Sequence, residues 1–90
     1  MTVQAKVVVY TTDYCPYCVR ALALLRSKGA EPTEVDVSGD QETRRWLVEK
    51  TGQRTVPQVF INEKPVGGFT DIAALDKKGE LDRLLSEPGE

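Results

Sequence analysis

The sequence has no histidine, only two cysteines, one methionine and one tryptophan among its 90 residues. Without histidine, no imidazole base is available to activate a thiol, and cysteine-protease chemistry is excluded. A complete zinc site takes about four ligands. Two thiols alone would have to recruit carboxylates, so no metal site is expected. Neither sign of charge dominates: 12 basic and 14 acidic side chains leave a net charge of −2. Nothing in that balance calls for nucleic acid or a membrane as partner. Long hydrophobic runs are also missing. The N-terminal apolar run, Val7-Val8-Val9-Tyr10, is far too short for a signal-peptide core or a membrane span. There is no internal repeat and no low-complexity tract. A chain of this length makes one domain, near the lower end of what folds without staples. We take it as residues 1–86, with 87–90 as a flexible tail.

What is present is a cysteine pair in an informative place. Cys15-Pro16-Tyr17-Cys18 follows a β-branched run and precedes a helix-like run from Val19 to Lys28. A Cys-x-x-Cys at a strand-to-helix junction reads as a thioredoxin-like redox pair. Residues at i and i+3 of a helix share a face, roughly 5–6 Å apart at Cβ, close enough to form a disulfide after a small adjustment. Pro16 suits the first helical position, where a missing N–H costs nothing. Cys15 then caps the helix, where orphan N–H groups and the helix dipole favour thiolate over thiol. Cys18, one turn in, is expected to be less exposed and less acidic. As a structural disulfide the pair would close a four-residue loop, worth about 2 kcal/mol against ~3 for fifteen residues. That is a poor staple. Two inert buried cysteines are the other alternative, set against the proline–aromatic pair between them. Two cysteines without a signal sequence fit a reducing compartment, the cytoplasm, where such a pair is catalytic rather than structural.

The rest of the chain reads as alternating strands and helices. Val3 to Tyr10 predicts a strand buried on both faces. From Pro16, Cys18, Leu22 and Leu25 share an inward helical face, Arg20, Ser27 and Lys28 face solvent, and Gly29 closes the helix. Thr33 to Val37 alternates with period two, a second strand. A strand–helix–strand unit of this length predicts a parallel pair. Ser38 and Gln41 have capping-box spacing for a second helix from Gln41 to Thr51, stopped by Gly52. Leu47, Val48 and Trp46 are expected in the core there, with an Arg45–Glu49 pair on the solvated side. Gln58 to Ile61 predicts a third strand, Asn62-Glu63-Lys64 a turn, and Pro65-Val66 the start of an antiparallel partner near a sheet edge. Gly67-Gly68 end it, Thr70-Asp71 cap a third helix, and Leu81, Leu84 and Leu85 mark a short terminal one. The predicted fold class is α/β: a four-stranded mixed sheet flanked by helices, in the order β-α-β-α-β-β-α.

Three pieces carry a resemblance: Cys15-Pro16-Tyr17-Cys18, Thr55-Val56-Pro57, and Gly67-Gly68 with Asp71 close behind. At these separations, and over nearly the whole chain, the sequence resembles the glutaredoxin family, in its compact dithiol bacterial form. The resemblance implies a thioredoxin-like fold, a single chain acting as a monomer, and no permanently bound cofactor. It also implies glutathione as cosubstrate, held in a groove formed by Tyr17, Gln53, Arg54, Thr55, Val56, Pro57, Gly68, Thr70 and Asp71. By the same resemblance Pro57 is cis and faces the active sulfur. The Val56 backbone would then pair with the cysteinyl unit of glutathione, as in strand addition. The γ-glutamyl carboxylate would rest on the amides of Thr70 and Asp71, where a helix start favours anions, and Asp71 would pair with the ligand's ammonium group. Helix capping is the rival role for both residues. One position departs from the family pattern: Thr12 stands where a lysine is frequent. Arg54, Gln53 or Arg20 would have to replace that lysine at the glycyl carboxylate, while Asp13 opposes thiol acidity.

The resemblance thus implies reduction of protein–glutathione mixed disulfides and of protein disulfides, with Cys15 as nucleophile and Cys18 resolving. Two alternatives stand beside it. One is a thioredoxin-type reductant recharged by a flavoprotein reductase. The other is an iron–sulfur carrier, in which two chains and two glutathione thiolates supply four sulfur ligands.

Overall fold

The central strands of the sheet, β1 (Val7–Thr11) and β3 (Gln58–Ile61), run antiparallel to each other. The structure, a computed structural model, describes residues 3–88. β2 (Thr33–Asp36) adds to β1 in parallel, and β4 (Lys64–Gly67) adds to β3 in antiparallel fashion, giving the order β2-β1-β3-β4. α1 (Pro16–Ser27), α2 (Gln41–Thr51), α3 (Phe69–Lys77) and α4 (Glu80–Ser86) complete the chain. This is the thioredoxin-like mixed sheet expected from the sequence, with the short terminal helix as a separate element.

Both faces of the sheet are covered, by two different clusters. Side chains alternate along a strand, so Val7 and Val9 of β1 and Val59 and Ile61 of β3 pack under α1, α3 and α4. Their partners there are Ala21, Leu22, Leu25, Ile72, Leu81 and Leu85. Val8 and Tyr10, with Phe60, face the other way onto Val37 and Leu47 of the α2 side. Lys28 at the end of α1 is ion-paired to Asp76 of α3 and Asp82 of α4, tying three helices together. The Asp76 carboxylate is the main cause that raises its pKa above the ordinary lysine value.

Several local expectations are corrected. β1 begins at Val7 rather than Val3, because the preceding backbone is bonded elsewhere: Gln4 and Ala5 donate to the Leu85 carbonyl, and Lys6 donates to the Asn62 side chain. α2 is capped by Asp40, whose carboxylate accepts the Thr43 N–H at 3.0 Å. Ser38 is instead spent on the loops, donating to Asp36 and accepting from the Asp13 N–H. Trp46 is 38% exposed. It stacks on Phe60 and lies against Tyr10 at the margin of the second cluster. Among the described residues the Arg45–Glu49 ion pair is not formed. α3 starts at Phe69 with Gly68 at its cap, so Thr70 and Asp71 lie inside the first turn. The β3–β4 turn places Asn62 and Glu63 at positive φ, 51° and 68°, the handedness that suits a two-residue hairpin. Pro65 lies on the edge strand β4, where its missing N–H is tolerated. Of the proposed tail 87–90, residues 89 and 90 lie outside the described residues, and the Glu87 carbonyl accepts from the Asn62 side chain.

The cap at Asp40 gives a pH-dependent test. The Thr43 hydroxyl, followed by its N–H, holds the Asp40 carboxyl below its ordinary pKa. A lowered folded-state pKa means stability that is fully present above the ordinary carboxylate range and lost as pH falls through the lowered value. Asp40→Ala is expected to lower Tm at pH 7 by about 4–8 °C. Asp40→Asn keeps a capping oxygen and is expected to melt close to wild type at pH 7. Thermal melts across pH should then show wild type losing ground to Asp40→Asn only in acid, below about pH 4.

Candidate active site

The site is assembled by two loops at one end of the central strand pair. Tyr10, near the end of β1, pairs with Gln58, the first residue of β3. The chain leaving β1 therefore runs beside the chain entering β3. Tyr14 turns the first loop with φ 52° and is itself fully exposed. The Asp13 N–H, donated to Ser38 at 2.8 Å, anchors that loop to the segment after β2. Cys15 follows in extended conformation (φ −112°, ψ 95°) as the cap of α1, with Pro16 in the first turn. Its sulfur accepts the Cys18 N–H at 3.1 Å.

Cys15 and Cys18 are joined as a disulfide, their Cα atoms 5.2 Å apart. The two sulfurs differ in access. Cys15 is half-buried, whereas Cys18 is 3% exposed on the inner face of α1. An incoming thiolate can reach the first and not the second. In the reduced state the cap position presents N–H donors and the positive end of α1 to Cys15, an arrangement that stabilises a sulfur anion.

The second loop brings Val56 and Pro57, joined by a cis peptide bond. The Val56 carbonyl oxygen lies 3.8 Å from the Cys15 sulfur. A thiol, though not the disulfide, can donate a weak hydrogen bond there. The N-terminus of α3 closes against the same loop. A Cβ on Gly68 would stand 3.2 Å from the Pro57 carbonyl oxygen, so the lack of a side chain permits the approach. Gly67 has φ +107°, and a Cβ there would overlap the Asp71 carboxylate. That carboxylate accepts the Gly68 N–H at 2.9 Å. The amides of Phe69, Thr70 and Asp71, at the start of α3, have no carbonyl a turn earlier to bond.

These pieces frame an open groove of about 670 Å³ next to the disulfide. Its walls contain every residue expected from the sequence: Tyr17 from α1, the stretch Gln53 to Pro57, and Gly68, Thr70 and Asp71 from α3. Phe69 lines it as well, with its ring centroid 6.2 Å from that of Tyr17. The sequence reading missed Phe69, although an aromatic directly after the glycine pair was a usable signal. Of the three substitutes for the missing lysine, Arg54 and Gln53 line the groove. Arg20 instead lies over the Tyr17 ring, 5.5 Å from its centroid. Thr12 lines a separate hollow with Cys15, Cys18, Val19 and Glu34.

Comparison with known proteins agrees with this geometry. The glutaredoxin family profile matches residues 7–66. The chain is 50% identical over 80 residues to a glutaredoxin of Pseudomonas aeruginosa, covering 89% of this chain and 95% of that one. It is 46% identical over 81 residues to glutaredoxin 3 of Escherichia coli, covering 90% and 98%. Among solved structures, the buckwheat glutaredoxin–glutathione complex superposes with a TM-score of 0.84 at 33% identity, covering 91% of this chain and 77% of that chain.

The glycine pair is open to direct test. Gly67→Ala combines a left-handed φ with overlap onto Asp71 and is expected to destabilise by about 1–3 kcal/mol. Gly68→Ala keeps an allowed φ of −96° and needs only a small shift of the Pro57 carbonyl. Chemical denaturation of both variants should therefore rank Gly67→Ala as clearly the less stable.

Proposed function

Since the chain belongs to the glutaredoxin family of thiol–disulfide oxidoreductases, we propose that it reduces protein–glutathione mixed disulfides, and protein disulfides, with glutathione as cosubstrate. The observation that carries this reading is the groove beside Cys15, which joins a backbone strand, a helix start and Arg54 around one open space. A solved relative in complex with glutathione supports the same assignment.

Each part of the groove has a physical counterpart in the tripeptide. The Val56 backbone offers strand-like hydrogen bonds to the cysteinyl unit, which holds its sulfur against Cys15. The amides of Thr70 and Asp71 receive the γ-glutamyl carboxylate at the positive end of α3. Asp71 uses Oδ2 for the Gly68 N–H, leaving Oδ1 for the ligand's ammonium group. Arg54 and Gln53 take the glycyl carboxylate in place of a lysine at position 12. Tyr17 and Phe69 form the apolar wall between the two ends.

Catalysis then follows from access. The Cys15 thiolate attacks the glutathione sulfur of a mixed disulfide, and the protein thiolate leaves and takes up a proton. A glutathione thiolate attacks the sulfur of the bound glutathionyl group, oxidised glutathione departs, and the Cys15 thiolate is restored. With a protein disulfide, Cys15 forms a mixed disulfide with one target sulfur and releases the other. Cys18 then attacks the Cys15 sulfur, frees the target, and leaves the Cys15–Cys18 disulfide for two glutathiones to reduce. A moderately acidic thiol suits both attack and departure. Both sulfurs and the whole groove come from one chain, so a monomer suffices.

Cys15→Ser is expected to abolish deglutathionylation, whereas Cys18→Ser keeps most of it and loses reduction of protein disulfides. Glutathione with its reductase should sustain turnover, and thioredoxin reductase should not. In the reduced protein, alkylation of Cys15 by iodoacetamide should be fast at a pH where an ordinary thiol, with pKa about 8.5, is still protonated. Full activity in Cys15→Ser, or turnover with thioredoxin reductase alone, would refute the assignment.

A further inference from the structure

Gln58 is 1% exposed, at the first position of β3 and directly after the cis proline. Its Nε2 donates to the Thr55 carbonyl at 2.8 Å and to the Gln53 side-chain oxygen at 3.2 Å. Its Oε1 is buried with no hydrogen-bond partner among the described residues. The orientation of the amide follows from these neighbours: the Thr55 carbonyl can only accept, so turning the amide over would set oxygen against oxygen. A buried acceptor without a partner lowers stability. A methionine of similar length would fill the same space without that penalty. Packing therefore does not account for an amide here, whereas its NH₂ group does.

Both residues held by that NH₂ group line the groove. Between Thr55 and Pro57 lies Val56, whose carbonyl faces the Cys15 sulfur. The stretch from Gly52 to Thr55 is exposed, so it has little burial of its own to hold it in place. Its other anchor is at the opposite end, where the Gln53 N–H donates to the Thr51 hydroxyl at 3.1 Å. We propose that Gln58 is a positioning residue: from beneath the loop it sets the Gln53 side chain and the Thr55–Val56 backbone to receive a glutathionyl group. This rests on the reading of the groove as a glutathione site.

The test is Gln58→Met, followed by thermal melts and by steady-state kinetics on a glutathionylated peptide. Loss of prearranged binding raises KM and leaves kcat alone. The expected result is a Tm equal to or above wild type, KM raised about 5–10-fold, and kcat within about twofold. In the Gln58→Met background, Gln53→Ala should raise KM by less than it does in wild type, because the two act as one unit. An unchanged KM would overturn the proposal. So would a lowered Tm or loss of the folded state, since the amide would then serve stability. If wild type shows no turnover with glutathione, the groove reading fails, and positioning is judged by amide exchange without ligand. Faster exchange at Arg54 and Val56 in Gln58→Met supports it; unchanged exchange overturns it.

Discussion

The antiparallel pairing of Tyr10 with Gln58 is what the chemistry stands on. It fixes where one loop leaves the sheet and another enters it, and so sets Cys15 beside Val56. A slip of one residue would send every side chain of β3 to the opposite face. Val59 and Ile61 would then lose the α1–α3–α4 cluster, and Phe60 would lose Val37 and Leu47. All four residues of β3 are buried, so neither face of the strand tolerates that exchange. The position of the half-buried Cys15 sulfur is thus decided by apolar packing well beneath it.

Two helix starts converge on the groove that this pairing creates. α1 begins there with Cys15 at its cap, and α3 begins there with Gly68 at its cap. The Tyr17–Phe69 contact links the two first turns, and the Lys28 ion pairs fasten the far end of α1 to α3 and α4. Each helix directs the positive end of its dipole to the same place, and Arg54 adds a full charge. Asp71 lines the same groove with a charge of the opposite sign, so the polarity that favours anions there comes from the two helix starts. That polarity suits a thiolate and an anionic ligand together.

What could be read from the sequence was whatever local chemistry decides. The bounds of α2 follow from helical spacing and from Gly52, which takes φ 73° as its stop. The hairpin follows from Asn62-Glu63, and the redox pair from its place between a β-branched run and a helix. What could not be read depends on partners distant in sequence. Val3 to Lys6 has strand-like composition, yet the N–H groups of Gln4, Ala5 and Lys6 go to Leu85 and Asn62. Ser38 and Asp40 are both good caps, and the choice between them turned on Asp13, from a separate loop, occupying Ser38. Trp46 has the right spacing for burial, but the second cluster is shallow and Tyr10 and Phe60 fill it first. At the site, the motifs located the groove residues and the glycine pair pointed to Phe69 beside them, whereas Gln58 became visible only once Gln53 and Thr55 had neighbours.

In the proposed mechanism access, and not acidity alone, orders the exchange between the two sulfurs. Both belong to one helical turn and both feel the dipole of α1, Cys15 at its cap and Cys18 within it. Burial separates them: Cys18 is 3% exposed, among the apolar residues of α1, and Cys15 is only half-buried beside the groove. A disulfide yields to a thiolate that can approach along the S–S axis, and here only the Cys15 side is open to one. On that reading attack falls on Cys15 and expels Cys18 as the leaving group, whatever the intrinsic preference of the two thiols. Cys18 in turn reaches just one partner, the Cys15 sulfur. In the proposed mechanism a single asymmetry of burial thus makes one cysteine the point of entry and the other the means of release.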